Sequence, residues 1–293
     1  MAEAWTIGRL LQWTADYLKQ HGADNPRLEA EVLLAHARGC KRVELYTSFG
    51  DVADDALRNK FRELVKRRAD GVPFAYLAGK REFYSLDFRV TPDVLIPRPE
   101  TEFLVIALLD LVKAMPPSEA SIEVADVGTG SGIIAVCVAR HAPRVRVTAI
   151  DQSPQALAIA RENAEKHGVT SRVTFVESDL FAAIPADQRF AIIASNPPYV
   201  SEAEYAALTP DVRDHEPRAA LVAGPTGTEV IERLLPQAAA RLKPGGALLL
   251  EISPMLQQRV ETLVASSGDW QMSPTIKDLA GHARIIVAKR AQH

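Results

Sequence analysis

Ile122-Glu123-Val124-Ala125-Asp126-Val127-Gly128-Thr129-Gly130-Ser131-Gly132-Ile133-Ile134-Ala135-Val136 decides the fold. An apolar run that reads as a buried strand passes straight into glycines alternating with small hydroxyl residues, and then into the apolar start of a helix. Glycines at a strand-to-helix turn let the backbone approach a ligand closely and aim N–H groups at it from the helix N-terminus. The spacing is Asp-x-Gly-x-Gly-x-Gly, which differs from the Gly-x-Gly-x-x-Gly of a dinucleotide fold. Outward from this stretch, strands are expected at 122–127, 145–150, 173–177, 190–195 and 247–252, with helices between them, for example around 132–140 and 154–167. From about residue 98 that alternation is the mark of an α/β fold: a Rossmann-like, mostly parallel sheet with helices on both faces. Ile285-Ile286-Val287-Ala288 offers a late strand that, with 270–277, adds an antiparallel hairpin at the sheet edge.

The second strand ends at Asp151, nineteen residues past Gly132. A carboxylate there can accept both ribose hydroxyls of an adenosine. Loop and carboxylate together indicate a nucleoside cofactor, and with this glycine spacing S-adenosylmethionine is favoured over NAD. The competing reading is a structural glycine turn beside a solvated Asp. At the end of the third strand, Asp179 either accepts from an adenine amino group, with Leu180 packing on the ring, or caps the following helix.

The fourth strand, Phe190-Ala191-Ile192-Ile193-Ala194-Ser195, ends in Asn196-Pro197-Pro198-Tyr199, the most specific feature of the chain. Two prolines rigidify the turn and remove two N–H donors, so nearby carbonyls are free to face a ligand. A carboxamide nitrogen is a poor nucleophile because its lone pair is delocalised into the carbonyl. The Asn196 side-chain oxygen and the Pro197 carbonyl can accept its two N–H bonds and aim that lone pair, with Tyr199 as an aromatic wall. Orientation of this kind supplies roughly 7–11 kcal/mol in the best intramolecular cases. The same acceptors stabilise positive charge as it develops on nitrogen. No strong base is required before attack, and the motif has no His or Cys beside it.

Residues 1–75 show helical periodicity without strand signals and read as a bundle of four or five helices. Ile7, Leu10, Leu11 and Trp13 fit one stripe, Leu28, Val32, Leu33 and Leu34 a second after Asp24-Asn25-Pro26, and Leu57, Phe61, Leu64 and Val65 a third. Phe83 to Val90 alternates like a strand, Thr91-Pro92-Asp93 reads as a turn and Val94-Leu95-Ile96 as a second strand, together a β-hairpin joining two domains.

The chain has 293 residues, 47% hydrophobic and 24% charged, with net charge −3, a globular composition large enough for two domains. Lys and Arg number 12 against 11 Asp and Glu over residues 1–75, and 22 against 26 in the remainder. Neither part is a basic nucleic-acid surface. Lys66-Arg67-Arg68 reads as a solvated helix face. Met1-Ala2-Glu3-Ala4-Trp5 has neither a basic region nor an apolar run, so no signal peptide is expected, and no stretch approaches the ~20 apolar residues of a membrane span. Cys40 and Cys137 stand far apart, and Cys137 is expected to fill the core. The histidines at 21, 36, 141, 167, 282 and 293 lack ligand-like spacing, Asp214-His215-Glu216 is assigned a loop role, and no metal is expected.

Asn196-Pro197-Pro198-Tyr199 after a Gly-x-Gly-x-Gly loop resembles the amino-methyltransferases of adenine N6, cytosine N4 or glutamine N5. Further stretches narrow the resemblance to the PrmC/HemK family of release factor glutamine methyltransferases: Pro73-Phe74-Ala75-Tyr76-Leu77-Ala78-Gly79, Arg81-Glu82-Phe83-Tyr84, Leu95-Ile96-Pro97-Arg98-Pro99-Glu100-Thr101-Glu102, and Asp211-Val212-Arg213 through Glu216-Pro217 to Ala220-Leu221. The similarity runs over essentially the whole chain. It implies a class I methyltransferase sheet and N5-methylation of the glutamine in the Gly-Gly-Gln motif of class-1 peptide chain release factors. Gly128, Thr129, Gly130, Ser131, Gly132, Asp151, Asp179, Leu180 and Asn196 would hold the cofactor, and Asn196, Pro197, Pro198 and Tyr199 the glutamine side chain. Leu180 stands where the family often has Trp. The implied organisation is a helical release-factor recognition domain at 1–75, a hairpin linker at 76–97 and a methyltransferase domain at 98–293, in a cytoplasmic monomer that needs no nucleic-acid substrate. The alternative is adenine-N6 methylation of nucleic acid, which would require the phosphate-binding surface that the charge distribution lacks.

Overall fold

The structure, a computed structural model, describes residues 4–117 and 120–291; residues 1–3, on which the leader reading partly rests, and His293 lie outside them. The chain divides into two compact units, Met1–Lys80 with Pro210–His215, and Arg81–Thr209 with Glu216–His293.

The first unit holds α1 (Ile7–Gln20), α2 (Pro26–Arg38), α3 (Glu44–Thr47), α4 (Asp55–Ala69) and α5 (Phe74–Ala78). Side-chain caps start two of them: Thr6 Oγ1 accepts from the Arg9 N–H at 3.2 Å and Asp54 Oδ1 from the Leu57 N–H at 2.7 Å. Pro26 opens α2, where its missing N–H costs nothing, and Gly39 in the left-handed region closes it. Ile7, Leu11, Leu33, Leu34 and Phe61 make the core. Trp13 was expected on the buried stripe of α1 and is instead half exposed. At about 100° per residue it falls well off the Ile7–Leu11–Leu18 line, and Thr14 takes the buried slot. The basic run is not wholly solvated either, since Arg68 Nε donates to the buried Glu29 carboxylate at 2.7 Å. The unit reaches beyond residue 75 because Leu77 of α5 packs into this same core.

The hairpin exists with a different register from the expected one. Its strands are β1 (Lys80–Phe83) and β2 (Leu86–Arg89), and the turn is Tyr84-Ser85, both in the left-handed region at φ 50° and 59°. Such turns usually use Gly or Asn. Here the Tyr84 N–H donates to Glu102 Oε1 at 2.9 Å, a long-range contact that no local pattern announces. Val94-Leu95-Ile96 forms no strand. Phe83 and Phe88 pack into the main core of the second unit, so the hairpin is part of that unit's body.

In the second unit, α6 (Thr101–Ala114) precedes β3 (Ile122–Val127), α7 (Ile133–His141), β4 (Val145–Asp151), α8 (Pro154–Lys166), β5 (Val173–Glu177) and β6 (Phe190–Ser195). A short parallel pair, β7 (Val200–Ser201) and β8 (Val222–Gly224), brackets the loop after β6. Then come β9 (Leu242–Glu251), β10 (Trp270–Met272), β11 (Ile276–Lys277) and β12 (Ala283–Arg290). The large sheet runs β10-β12-β9-β6-β3-β4-β5, with β3, β4, β5, β6 and β9 parallel, and β12 antiparallel to β9, β10 and β11. Alternate residues of each strand face opposite helical layers. Val124, Ile192 and Leu249 join the core containing α6 and α7, while Ala125, Ile193 and Leu250 join the one built on the helices Glu229–Arg241 and Gln257–Ser266. Burial on both faces explains why these strands read as continuous apolar runs. Among the described residues no helix is long and apolar enough to cross a membrane.

Candidate active site

The chain runs outward from β3 to β4 and β5, then crosses back to β6 on the other side of β3. Doubly wound sheets bind ligands outside the carboxyl ends of their strands at this kind of reversal. A cavity of about 380 Å³ lies there, lined by Gly128–Ser131, Asp151, Asp179, Leu180 and Asn196–Pro198. Parallel pairing of Val127 with Ser195 puts the ends of β3 and β6 side by side. A Cβ built on Gly128 would stand 3.9 Å from the Asn196 carbonyl. Two motifs more than 60 residues apart thus share one wall.

Most of the expected residues line this cavity. Asp151 Oδ2 accepts the Gly130 N–H at 2.8 Å and Oδ1 the Ser153 N–H at 2.9 Å, which shapes the glycine loop from across the sheet. Burial pushes the Asp151 carboxyl above its ordinary range. Thr129 turns its hydroxyl inward, donating to Asp126 Oδ2 at 2.6 Å, while the Ala135 N–H donates to the same oxygen at 3.1 Å. Asp126 is fully buried with Oδ1 unpartnered, and burial raises its carboxyl to about 7. Asp179 lines the cavity while paired with Arg233. Leu180 is buried, in the left-handed region at φ 50°.

Two expected residues stand elsewhere. Gly132 is absent from the cavity lining; its Cβ position lies 3.0 Å from the Ala160 Cβ, so its role is to let α7 start hard against α8. Tyr199 is absent from the lining as well. Its phenol is flanked by Glu251, Arg98, Arg284 and Glu100, and burial pushes it to about 12. The Pro–Pro turn carries the chain past the cavity within two residues, which leaves the ring behind the wall. Cys137 fills the core as expected, its thiol pushed up by burial.

The structure adds groups that spacing along the chain did not single out. Asn196 Nδ2 donates to Thr101 Oγ1 at 3.3 Å, which leaves Oδ1 as the end of the amide able to accept. Val94, Leu95, Pro97 and Arg98 supply a further wall. That wall is pinned by the buried Glu216, which accepts from Arg98 Nη2 at 2.6 Å and from the Ile96 N–H at 3.1 Å. The bond to Ile96 replaces the strand ladder expected there. The signal for this wall lay in the Leu95–Glu102 and Glu216-Pro217 stretches, which carried the resemblance but no local pattern.

Residues 9–79 match the PrmC N-terminal domain and residues 107–211 the methyltransferase small domain. The release factor glutamine methyltransferase of Rhodopirellula baltica is 50% identical over 98% of this chain and 97% of its own. The chain belongs to the release factor glutamine methyltransferase family. The Geobacter sulfurreducens member is 45% identical over 85% of each chain. Among solved structures, a T. thermophilus 16S rRNA N2 G1207 methyltransferase in complex with AdoMet and guanosine covers 72% of this chain and 49% of its own, with a TM-score of 0.51 at 20% identity. That likeness shows the class I methyltransferase fold that this family member shares.

The residues present fit S-adenosylmethionine. Asp151 keeps accepting capacity beyond its backbone contacts, since a carboxylate offers roughly four lone-pair positions. It faces the same cavity as the apolar Ile150 and Leu180, while Gly130 lies at φ 56° with nothing within 4 Å of a built Cβ. A hydroxyl acceptor beside apolar walls and open backbone is what an adenosine with a charged tail requires.

Proposed function

We propose that this protein transfers the methyl group of S-adenosylmethionine to the side-chain N5 of the glutamine in the Gly-Gly-Gln motif of class-1 peptide chain release factors. One observation carries the reading at the level of chemistry: Asn196 lies beside the glycine loop with its Nδ2 committed to Thr101, so its Oδ1 is the end that can accept from a substrate NH2.

Bound in the cavity, S-adenosylmethionine supplies an electrophilic methyl on a sulfonium whose leaving group is a neutral thioether. Gly128, Thr129, Gly130 and Ser131 would hold it by close approach of their backbone, Asp151 would accept from its ribose hydroxyls, and Asp179 and Leu180 would stand at its base. Asn196 Oδ1 and the Pro197 carbonyl accept the two N–H bonds of the incoming carboxamide and hold its lone pair toward the donor side of the cavity. As the N–C bond forms and positive charge grows on nitrogen, these two acceptors stabilise it in place. The proton then leaves to water. None of these residues needs to act as a strong base.

The helical unit is assigned the recognition of the release factor. What supports this is a cleft of about 340 Å³ within that unit, lined by Leu10, Phe61 and Val65, by Trp13 and Tyr17 stacked at 5.0 Å, and by Arg58, Arg62 and Lys66. Aromatic anchors beside cations are the usual residues of a protein-binding hot spot. A protein acting on translation factors belongs in the cytoplasm, and a monomer suffices because one chain supplies every residue named.

The test is transfer of labelled methyl from S-adenosylmethionine to a purified release factor and to the same factor with its Gly-Gly-Gln glutamine replaced. Label confined to the former is the expected result, and label retained on the latter refutes the glutamine assignment. Trp13→Ala tests the helical unit. It is expected to raise KM for the full-length factor about tenfold or more while the rate on a short Gly-Gly-Gln peptide is unchanged.

A further inference from the structure

Glu251 ends β9, and its neighbour Leu250 pairs with Ser195, which puts Glu251 beside Asn196 at the carboxyl edge of the sheet. It is 2% exposed, its Oε2 has no hydrogen-bond partner, and its carboxylate stands within reach of the Thr101 hydroxyl. Thr101 is fully buried at the start of α6, and its Oγ1 accepts in turn from Asn196 Nδ2. The cations nearby are engaged elsewhere: Arg98 with Glu216, and Arg284 with Asp278 and Glu100. A buried carboxylate left half satisfied carries a desolvation cost that nothing in the fold offsets. Packing alone would be served as well by an apolar side chain.

A hydroxyl carries one proton. When ionised Glu251 accepts that proton, Thr101 Oγ1 can meet Asn196 solely as an acceptor. The NH2 end of the Asn196 amide must then face Thr101, and Oδ1 must face the other way. Without the carboxylate, the hydroxyl is free to donate to Oδ1, and the amide can lie either way round. In the flipped state an NH2 would meet the substrate NH2, donor against donor.

We propose that Glu251 is a positioning residue for methyl transfer, setting through Thr101 which end of the Asn196 carboxamide meets the substrate nitrogen. This rests on the reading of Asn196 as the group that holds the substrate amide. Glu100, Tyr199, Arg98 and Arg284 are the titratable groups facing Glu251. Burial, with Glu100 adding to it, raises its carboxyl to about 7, so the lock engages above that pH and releases below it.

The experiment compares full-length wild type, Asn196→Ala, Thr101→Val, Thr101→Ser, Glu251→Leu and Glu251→Gln on a release factor between about pH 6 and 9. Cofactor affinity is measured by calorimetry. The Asn196 side-chain NH2 signals are followed in protein carrying isotope-labelled asparagine, assigned by their loss in Asn196→Ala. Thr101→Val and Glu251→Leu are expected to lower kcat roughly 10- to 100-fold, with KM and cofactor affinity within about threefold. Thr101→Ser and Glu251→Gln, which keep the donor and the acceptor of the relay, recover most of that loss, and Glu251→Gln loses the acidic limb near pH 7. The Asn196 NH2 signals shift and exchange faster in Thr101→Val and Glu251→Leu. Wild-type kcat in Thr101→Val and Glu251→Leu beside an impaired Asn196→Ala overturns the relay alone. Parallel loss of cofactor affinity and kcat overturns it too, by assigning Glu251 to the fold. Full activity in Asn196→Ala instead removes the reading beneath it.

Discussion

Ser195 Oγ donates to the Val127 carbonyl at 2.7 Å, a buried side-chain tie between the last residue of β6 and the last residue of β3. The glycine loop and the Asn-Pro-Pro-Tyr turn each begin one residue further on. With the parallel pairing of the same two residues, the tie holds together the two motifs proposed to bind the cofactor and the substrate amide.

Ser195→Ala leaves the Val127 carbonyl without that donor in a buried setting. Denaturant unfolding is expected to show a loss of about 1–3 kcal/mol, and kcat is expected to fall more than cofactor affinity. A variant as stable and as fast as the wild type would show that strand pairing alone maintains the spacing.

Gly130 and Gly132 are expected to fail in different ways when changed to Ala. At Gly132 the added methyl meets Ala160 at 3.0 Å from its Cβ and 3.2 Å from its Cα, at φ 81°. Strain and overpacking together cost about 2–4 kcal/mol, read by chemical denaturation. At Gly130, which lines the cavity with open space around it, the left-handed backbone costs about 1–2 kcal/mol. There the main loss is cofactor affinity, read by calorimetry.

Glu216→Ala strands the Arg98 guanidinium and the Ile96 N–H together. Arg98 is 30% exposed, so water recovers part of the loss, and about 2 kcal/mol is expected, below the range of a fully buried pair. Arg98→Ala leaves a buried carboxylate with the Ile96 N–H as its remaining partner, and costs more. Both loosen the Val94–Arg98 wall and raise KM for the peptide substrate, which steady-state kinetics measures.

Asp126 couples stability to pH with the reverse of the usual carboxylate sign. Its folded value, about 7, lies above its ordinary 3.8, so the folded state holds the proton more tightly than the unfolded chain. Its contribution is full below about 4 and falls away as pH rises to about 7, by up to about 4 kcal/mol at ~1.4 per unit. Asp126→Asn has no proton to lose. Its stability relative to wild type is expected to improve between pH 5 and 8 by about 2–3 kcal/mol. A difference independent of pH would refute the shifted carboxyl.

Sequence alone determined the features set by local pattern. Apolar runs between glycine and charged turns marked the parallel strands, because strands buried on both faces need no polar alternation. Asp-x-Gly-x-Gly-x-Gly and Asn-Pro-Pro-Tyr were legible because each motif is contiguous, and its chemistry follows from residue types within one turn. The late strand around 285–288 and its antiparallel partner over 270–277 were legible too, the partner being split into 270–272 and 276–277. What tertiary structure decided lies in contacts between distant segments. The Tyr84-Ser85 turn lacks the residues that usually favour it and leans on Glu102. Val94–Ile96 has strand-forming residues, yet Glu216 takes its backbone donor, from 120 residues away in the case of Ile96. Tyr199 and Gly132 belong to their motifs in sequence, while packing turns them away from the cavity. Thr101 and Glu251 show no pattern of their own, because a hydroxyl at a helix start and a carboxylate at a strand end become a relay only when the sheet brings them behind Asn196. Hydrophobic periodicity is a property of neighbours along the chain. Which donor meets which acceptor is a property of the packed sheet.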